Sequence, residues 1–154
     1  MQMTKIMFVC LGNICRSPMA EFLMRDLVEK QGRGDEFLIA SAATSTWEIG
    51  NGVHRGTREI LYRLGIDPSA KRSVLLTKKD CAVYDYIIGM EMTNIKDIYR
   101  LADNKDAHKV CRLLDYTDCP KDIDDPWYSG DFETTYREIS AGVRALLAHI
   151  DAQK

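Results

Sequence analysis

The chain is expected to fold as a three-layer α/β domain built on a parallel sheet, and two observations carry that expectation. Four short apolar runs recur along the 154 residues, and segments with helical spacing of apolar positions lie between them. Strands alternating with helices imply parallel pairing through right-handed crossovers. The size agrees: a chain this long buries about two-thirds of its unfolded surface and needs no disulfide or metal staple. One domain spanning residues 1–154 is expected, with no repeat, low-complexity tract or linker inside it.

The strands are expected at Lys5–Val9, Phe37–Ala40, Tyr84–Ile88 and Lys109–Leu114. The first two are apolar at consecutive positions, as in a sheet covered on both faces. Ser17-Pro18 reads as the start of the first helix, Ser as N-cap and Pro as first helical residue. Met19, Leu23 and Leu27 line its inner face and Gly32 ends it. A second helix runs from about Val53 to Leu64, closing at Gly65, and a third carries Ile95, Ile98, Tyr99 and Ala102 on one stripe. The last has Phe132, Tyr136, Ile139, Val143, Leu147 and Ile150 in alternating steps of four and three.

Charge and cysteine content narrow the function classes. Lys and Arg number 21 against 23 Asp and Glu, a net charge of −2, which gives no electrostatic reason to expect nucleic acid or an anionic membrane as partner. No apolar run approaches the roughly 18–20 residues of a membrane span, and the apolar stretch from Ile6 to Leu11 is too short for a secretory leader. A cytoplasmic location is expected. Five cysteines without a Cys-x-x-Cys pair read as thiols rather than a disulfide framework, and the dispersed His54, His108 and His149 make a zinc site a poor reading.

In a doubly wound sheet, ligands bind beyond the carboxyl ends of strands where strand order reverses. The first strand ends at Cys10, and Cys10-Leu11-Gly12-Asn13-Ile14-Cys15-Arg16-Ser17 follows. Of the five cysteines only Cys10 has an arginine six positions on. Spacing alone says little; the context of buried strand, Cys, Gly-Asn, Arg-Ser and Ser-Pro helix start says much more. Consecutive N–H groups in a tight strand-to-helix loop form an anion nest, and the helix N-terminus adds partial positive charge. Gly12 and Asn13 are residue types that tolerate left-handed backbone angles. Arg16 offers a bidentate, permanently charged clamp for a tetrahedral oxyanion. The same positive field favours a Cys10 thiolate, to which Ser17 can donate a hydrogen bond.

These residues resemble the low-molecular-weight protein tyrosine phosphatase family. The resemblance is carried by residues 10–21, Cys-Leu-Gly-Asn-Ile-Cys-Arg-Ser-Pro-Met-Ala-Glu, by Ser41–Trp47, by Met90–Asn94 and by Asp125-Pro126-Trp127-Tyr128 with Asp131–Thr134. It extends over essentially the whole chain. It implies a four-stranded parallel sheet of order 2-1-3-4. It also implies hydrolysis of phosphotyrosine, and of small aryl phosphates, through a cysteinyl-phosphate intermediate without metal or other cofactor. Cys10, Arg16 and Asp125 would be catalytic; Leu11, Gly12, Asn13, Ile14, Cys15, Ser17, Trp47 and Tyr128 would bind substrate. The implied partners are phosphotyrosine proteins, and the chain itself is expected to be monomeric or weakly self-associating.

The acid cannot be chosen by spacing alone, because Asp122, Asp124 and Asp125 share one turn before Pro126. The resemblance selects Asp125 and leaves Asp124 as a supporting neighbour. Trp47 and Tyr128 sit in polar, Gly-containing loops and read as walls for an aromatic ring. The resemblance further assigns Ser41 to bracing Asn13, and Cys15 to forming a reversible disulfide with Cys10. Where the family commonly has two adjacent tyrosines after Asp-Pro, this chain has Trp127-Tyr128, leaving only Tyr128 as a phosphate acceptor there.

Other readings fare worse. Gly50-Asn51-Gly52-Val53-His54-Arg55 lacks the third glycine of a dinucleotide fingerprint, and no Gly-Lys-Ser/Thr is present. A thiol-dependent arsenate reductase needs a cysteine relay, and Ile87, Ile88 and Gly89 stand where a partner for Cys81 would be needed. A phosphoarginine phosphatase carries threonine where this chain has Ile14. A non-catalytic phosphate-binding module would not need Cys10, Arg16 and Asp125 together.

Overall fold

The computed structural model describes residues 3–154, which form a four-stranded parallel sheet of order β2-β1-β3-β4 flanked by six α-helices. The strands are β1 Thr4–Cys10, β2 Phe37–Ala43, β3 Tyr86–Gly89 and β4 Val110–Arg112. The helices are α1 Arg16–Lys30, α2 Arg55–Arg63, α3 Lys78–Val83, α4 Met92–Leu101, α5 Pro126–Ser129 and α6 Phe132–Ala152. Among the described residues, no helix is long and apolar enough to cross a membrane.

β1 is central because both its faces are apolar. Ile6, Phe8 and Cys10 point into a core with Met19, Leu23 and Met24 of α1 and Ile139, Val143 and Leu146 of α6. Met7 and Val9 point the other way, against Cys81 of α3 and Ile95 and Ile98 of α4. This alternation is the two-residue period of a strand, and burying Phe8 completely contributes about 1.5–3 kcal/mol. The register runs from Thr4 opposite Phe37 to Cys10 opposite Ala43 on one side, and from Ile6 opposite Tyr86 to Val9 opposite Gly89 on the other. The chain leaves β1 for one neighbour and later returns to the opposite one. Cys10 therefore ends the strand at which the order reverses.

Several boundaries differ from the sequence reading, each for a local reason. α1 begins at Arg16 with Cys15 at its N-cap, so Ser17 is not the cap and Pro18 is not the first helical residue; the Ser17 hydroxyl is engaged with Cys10 and Asn13 instead. β2 extends to Ala43, and β3 starts two residues later than expected. β4 stops at Arg112: the N–H of Arg112 donates to Asp115, and Leu113–Tyr116 turns into a 3₁₀ segment. That segment still buries Leu113 and Leu114, against α6 at Gly142, where a Cβ would lie 2.5 Å from Leu113 Cγ. Tyr99 is exposed, whereas Ile95 and Ile98 are buried as expected. α3 was not expected; it is opened by a capping box between Thr77 and Asp80.

Candidate active site

The loop after β1 wraps around the Cys10 sulfur. Sγ accepts from the N–H of Asn13 at 3.3 Å and of Ser17 at 3.4 Å, and lies 3.0 Å from Ser17 Oγ. Among the described residues, the N–H groups of Leu11, Gly12, Ile14, Cys15 and Arg16 have no acceptor within the chain. They are free donors in one loop at the N-terminus of α1, the arrangement that binds a tetrahedral anion. Of the two residues that tolerate left-handed backbone angles, Asn13 adopts one, at φ 56°, and Gly12 does not.

The loop is held by buried polar side chains behind it. Asn13 Nδ2 donates to Ser17 Oγ at 2.7 Å and to Ser41 Oγ at 2.9 Å, while Asn13 Oδ1 accepts from Val74 N–H at 3.2 Å. Ser41 in turn donates to Glu21 Oε1 at 2.5 Å, and Glu21 pairs with Arg25 at 2.7 Å. Ser73 Oγ donates to the Gly12 carbonyl at 2.8 Å, Thr57 Oγ1 to the Cys15 carbonyl at 3.1 Å, and the His54 N–H to the Ile14 carbonyl at 2.8 Å. With the loop carbonyls tied outward, its N–H groups are left facing in.

Arg16 is 1% exposed. Its Nη1 donates to Glu91 Oε2 at 2.7 Å and to the Ile123 carbonyl at 2.8 Å, and Nη2 lies 3.4 Å from Asp125 Oδ2. Burial opposes its charge, but Cys10, Asp125 and Glu91 more than offset that and hold the guanidinium pKa above its ordinary value. Nε is buried without an acceptor within the described residues, an unpaired donor on a residue that lines the cavity. Asp125 caps α5, accepting from the Trp127 N–H at 3.0 Å, with Pro126 as first helical residue.

Cys10, Leu11, Gly12, Ile14, Cys15 and Arg16 form the floor of a cavity of about 120 Å³, with Asp125 at its side. Trp47, Glu48, Trp127 and Tyr128 form its rim. Trp47 is 73% exposed and Tyr128 75%, so neither is a core residue. The structure thus brings together at one cavity every residue expected there except Asn13, Ser17, Ser41 and Asp124. The first three stand behind the loop, and Asp124 is exposed beside the cavity rather than in it. Burial keeps the Cys15 thiol protonated by raising its pKa, and Cys10 and Cys15 are separate free thiols.

Sequence reasoning missed Glu91 as the Arg16 partner, Glu48 and Trp127 on the rim, and the braces Ser73, Thr57 and His54. Glu91 and Trp127 lay inside quoted motifs; the braces act over separations of 40 or more residues, which no local pattern reveals. Among the described residues, no three His, Cys, Asp or Glu side chains converge as a metal site.

Residues 5–154 match the family model described as low molecular weight phosphotyrosine protein phosphatase. The chain is 42% identical over 154 residues to the low molecular weight protein-tyrosine-phosphatase YfkJ of Bacillus subtilis, covering 99% of each. It is 40% identical over 152 residues to the human low molecular weight phosphotyrosine protein phosphatase, covering 95% of this chain and 96% of that one. The crystal structure of YfkJ superimposes with a TM-score of 0.95 at 41% identity, covering 100% of this chain and 98% of that one.

Proposed function

Starting from the fact that this chain belongs to the low molecular weight phosphotyrosine protein phosphatase family, we propose that it hydrolyses phosphotyrosine in proteins, and small aryl phosphates, through a phosphorylated Cys10. The observation that carries the reading is the convergence of three hydrogen-bond donors on Cys10 Sγ beneath a ring of unpaired loop N–H groups, with Arg16 and Asp125 at the same cavity. Residues 1–154 act as one phosphatase domain, in the cytoplasm, as a monomer or weakly associated species.

The residues divide the chemistry as follows. Loop N–H groups and Arg16 hold the phosphoryl oxygens and the charge that develops on them. Cys10 Sγ attacks phosphorus in line, forming the S–P bond as the P–O bond to the phenol breaks. Asp125 gives its proton to the departing oxygen, a contribution of typically 10²–10⁴-fold. The carboxylate then takes a proton from water, which attacks the phosphocysteine and releases inorganic phosphate and the thiolate. Ser17 Oγ, 3.0 Å away, stabilises that thiolate both as nucleophile and as leaving group.

Trp47 and Tyr128 flank the phenolic ring, and Ile14 puts an apolar branch in the cavity lining that favours an aryl ester over a guanidino-phosphate. Peroxide would oxidise the Cys10 thiolate to a sulfenic acid, from which Cys15 displaces water to give a disulfide that a thiol reductant reopens. Failure of a reductant to restore activity after peroxide would remove that part of the reading.

The test compares a phosphotyrosine peptide, phosphoarginine, and arsenate with thioredoxin on one preparation, with vanadate as competitive inhibitor. The phosphotyrosine peptide is expected to be turned over fastest, and Cys10→Ser to abolish turnover while phosphate still binds. Dominant arsenate reduction would overturn the reading.

A further inference from the structure

A second cavity of about 340 Å³ has no lining residue in common with the first, but its lining begins at Gly50, two residues after Glu48 of the first. Asn51, Arg58, Tyr62, Ser69 and Arg72 line it, and no carboxylate does. Among the described residues, Arg58 is the one arginine whose guanidinium has neither an ion pair nor a hydrogen bond within the chain; the other ten each have at least one. Arg72 is steadied by its own loop, Nη1 donating to the carbonyls of Ser69 at 2.9 Å and Lys71 at 3.0 Å, which leaves Nη2 and Nε without acceptors.

The segment joining the two linings is short and hydrogen-bonded. Glu48 is on the rim of the first cavity and Asn51 lines the second; the Asn51 N–H donates to the Glu48 carbonyl at 2.9 Å and Asn51 Nδ2 to Glu48 Oε2 at 2.6 Å. Three residues span at most about 11 Å, the reach of roughly three residues of an extended peptide. Gly50 and Asn51 are also tied to Ser73, the residue that holds the Gly12 carbonyl, so both cavities are fixed to one frame. The Glu48 and Asp67 carboxylates are turned to the lining residues Asn51 and Ser69, and neither arginine has an ion pair among the described residues. Two unpaired arginines, an aromatic side chain and a serine suit a dianionic phosphoryl group better than a neutral or basic side chain.

We propose that this cavity binds a second phosphoryl group on the substrate, two to four residues from the phosphotyrosine being hydrolysed, and so selects multiply phosphorylated segments. The proposal rests on the phosphatase reading above.

The test uses peptides carrying one phosphotyrosine and, at each of positions two to eight on either side, serine, glutamate or phosphoserine. Each kcat/KM is divided by the same preparation's value for p-nitrophenyl phosphate, so that any change in loop chemistry cancels. Phosphoserine two to four residues away on one side is expected to raise the ratio about tenfold through KM, with glutamate giving a smaller gain. Arg58→Gln should bring the gain below about threefold, and Arg58→Glu should turn it into a penalty. A gain absent at every position, equal at all positions, or surviving in Arg58→Glu would overturn the proposal. If neither the peptides nor p-nitrophenyl phosphate were hydrolysed, the phosphatase reading would fall as well; hydrolysis without the gain removes only the second site.

Discussion

Replacing Asn13 separates the two roles that one side chain plays. At φ 56° an L-residue other than Asn or Asp is disfavoured by about 1–2 kcal/mol, whereas glycine is not. The amide also makes three hydrogen bonds, to Ser17 and Ser41 through Nδ2 and from Val74 through Oδ1. Ser17 and Ser41 keep Cys10 and Glu21 as alternative partners, but the Val74 N–H has no substitute. At about 1 kcal/mol per hydrogen bond, Asn13→Gly should cost about 3 kcal/mol, and Asn13→Ala about 1 kcal/mol more through the backbone. Both variants release the Ser17 hydroxyl and the loop, so kcat for p-nitrophenyl phosphate should drop about 10²-fold in each, the cost of an ångström-scale misplacement. Urea unfolding gives the stabilities and steady-state kinetics the rates. Equal stability of the two variants would refute the strain argument, and an unchanged kcat would refute the claim that this side chain positions the loop.

Four further outcomes are expected. Glu91→Gln keeps an acceptor for buried Arg16 but removes the carboxylate charge that strengthens the bond, and should lower kcat/KM about 10- to 30-fold, measured on p-nitrophenyl phosphate; a change below twofold would deny the Glu91 charge its positioning role. Asp125→Asn should slow phosphoryl transfer most for phenols that are poor leaving groups, read as a steeper dependence of rate on phenol acidity; a uniform loss across phenols would contradict its role as acid. Gly142→Ala places a Cβ 2.5 Å from Leu113 and should destabilise by about 1–3 kcal/mol in urea without shifting KM. Burial raises the pKa of Cys15, Cys81 and Cys111 above the ordinary 9.0, so the folded state favours the neutral thiols. Their contribution to stability is complete below about pH 9 and declines as pH rises past it, which unfolding curves at rising pH would show.

The central strand and the phosphate loop were legible because both are local. Consecutive apolar residues marked β1, and the Cys-to-Arg spacing before Ser-Pro marked the turn that follows it. The helix start was misread where chemistry takes a residue away from its propensity: Ser17 has the composition of a cap, yet its hydroxyl serves Cys10. β4 was overextended because Leu113 and Leu114 are as apolar in a 3₁₀ turn as in a strand. α3 could have been found from Thr77 and Asp80, a capping-box spacing present in the sequence. Ser73 and Thr57 could not, since each reaches the loop from 42 to 61 residues away and depends on the crossover topology to arrive there.

Trapping the covalent intermediate tests the account most directly. Asp125→Asn, mixed with an aryl phosphate whose phenol is a good leaving group and quenched within a turnover, still forms the S–P bond but lacks the base that activates water. Mass spectrometry of the digested protein should find one phosphoryl group, on the peptide containing Cys10, and none in Cys10→Ser treated the same way. A phosphoryl group on any other residue, or steady turnover by Cys10→Ser, would contradict the account.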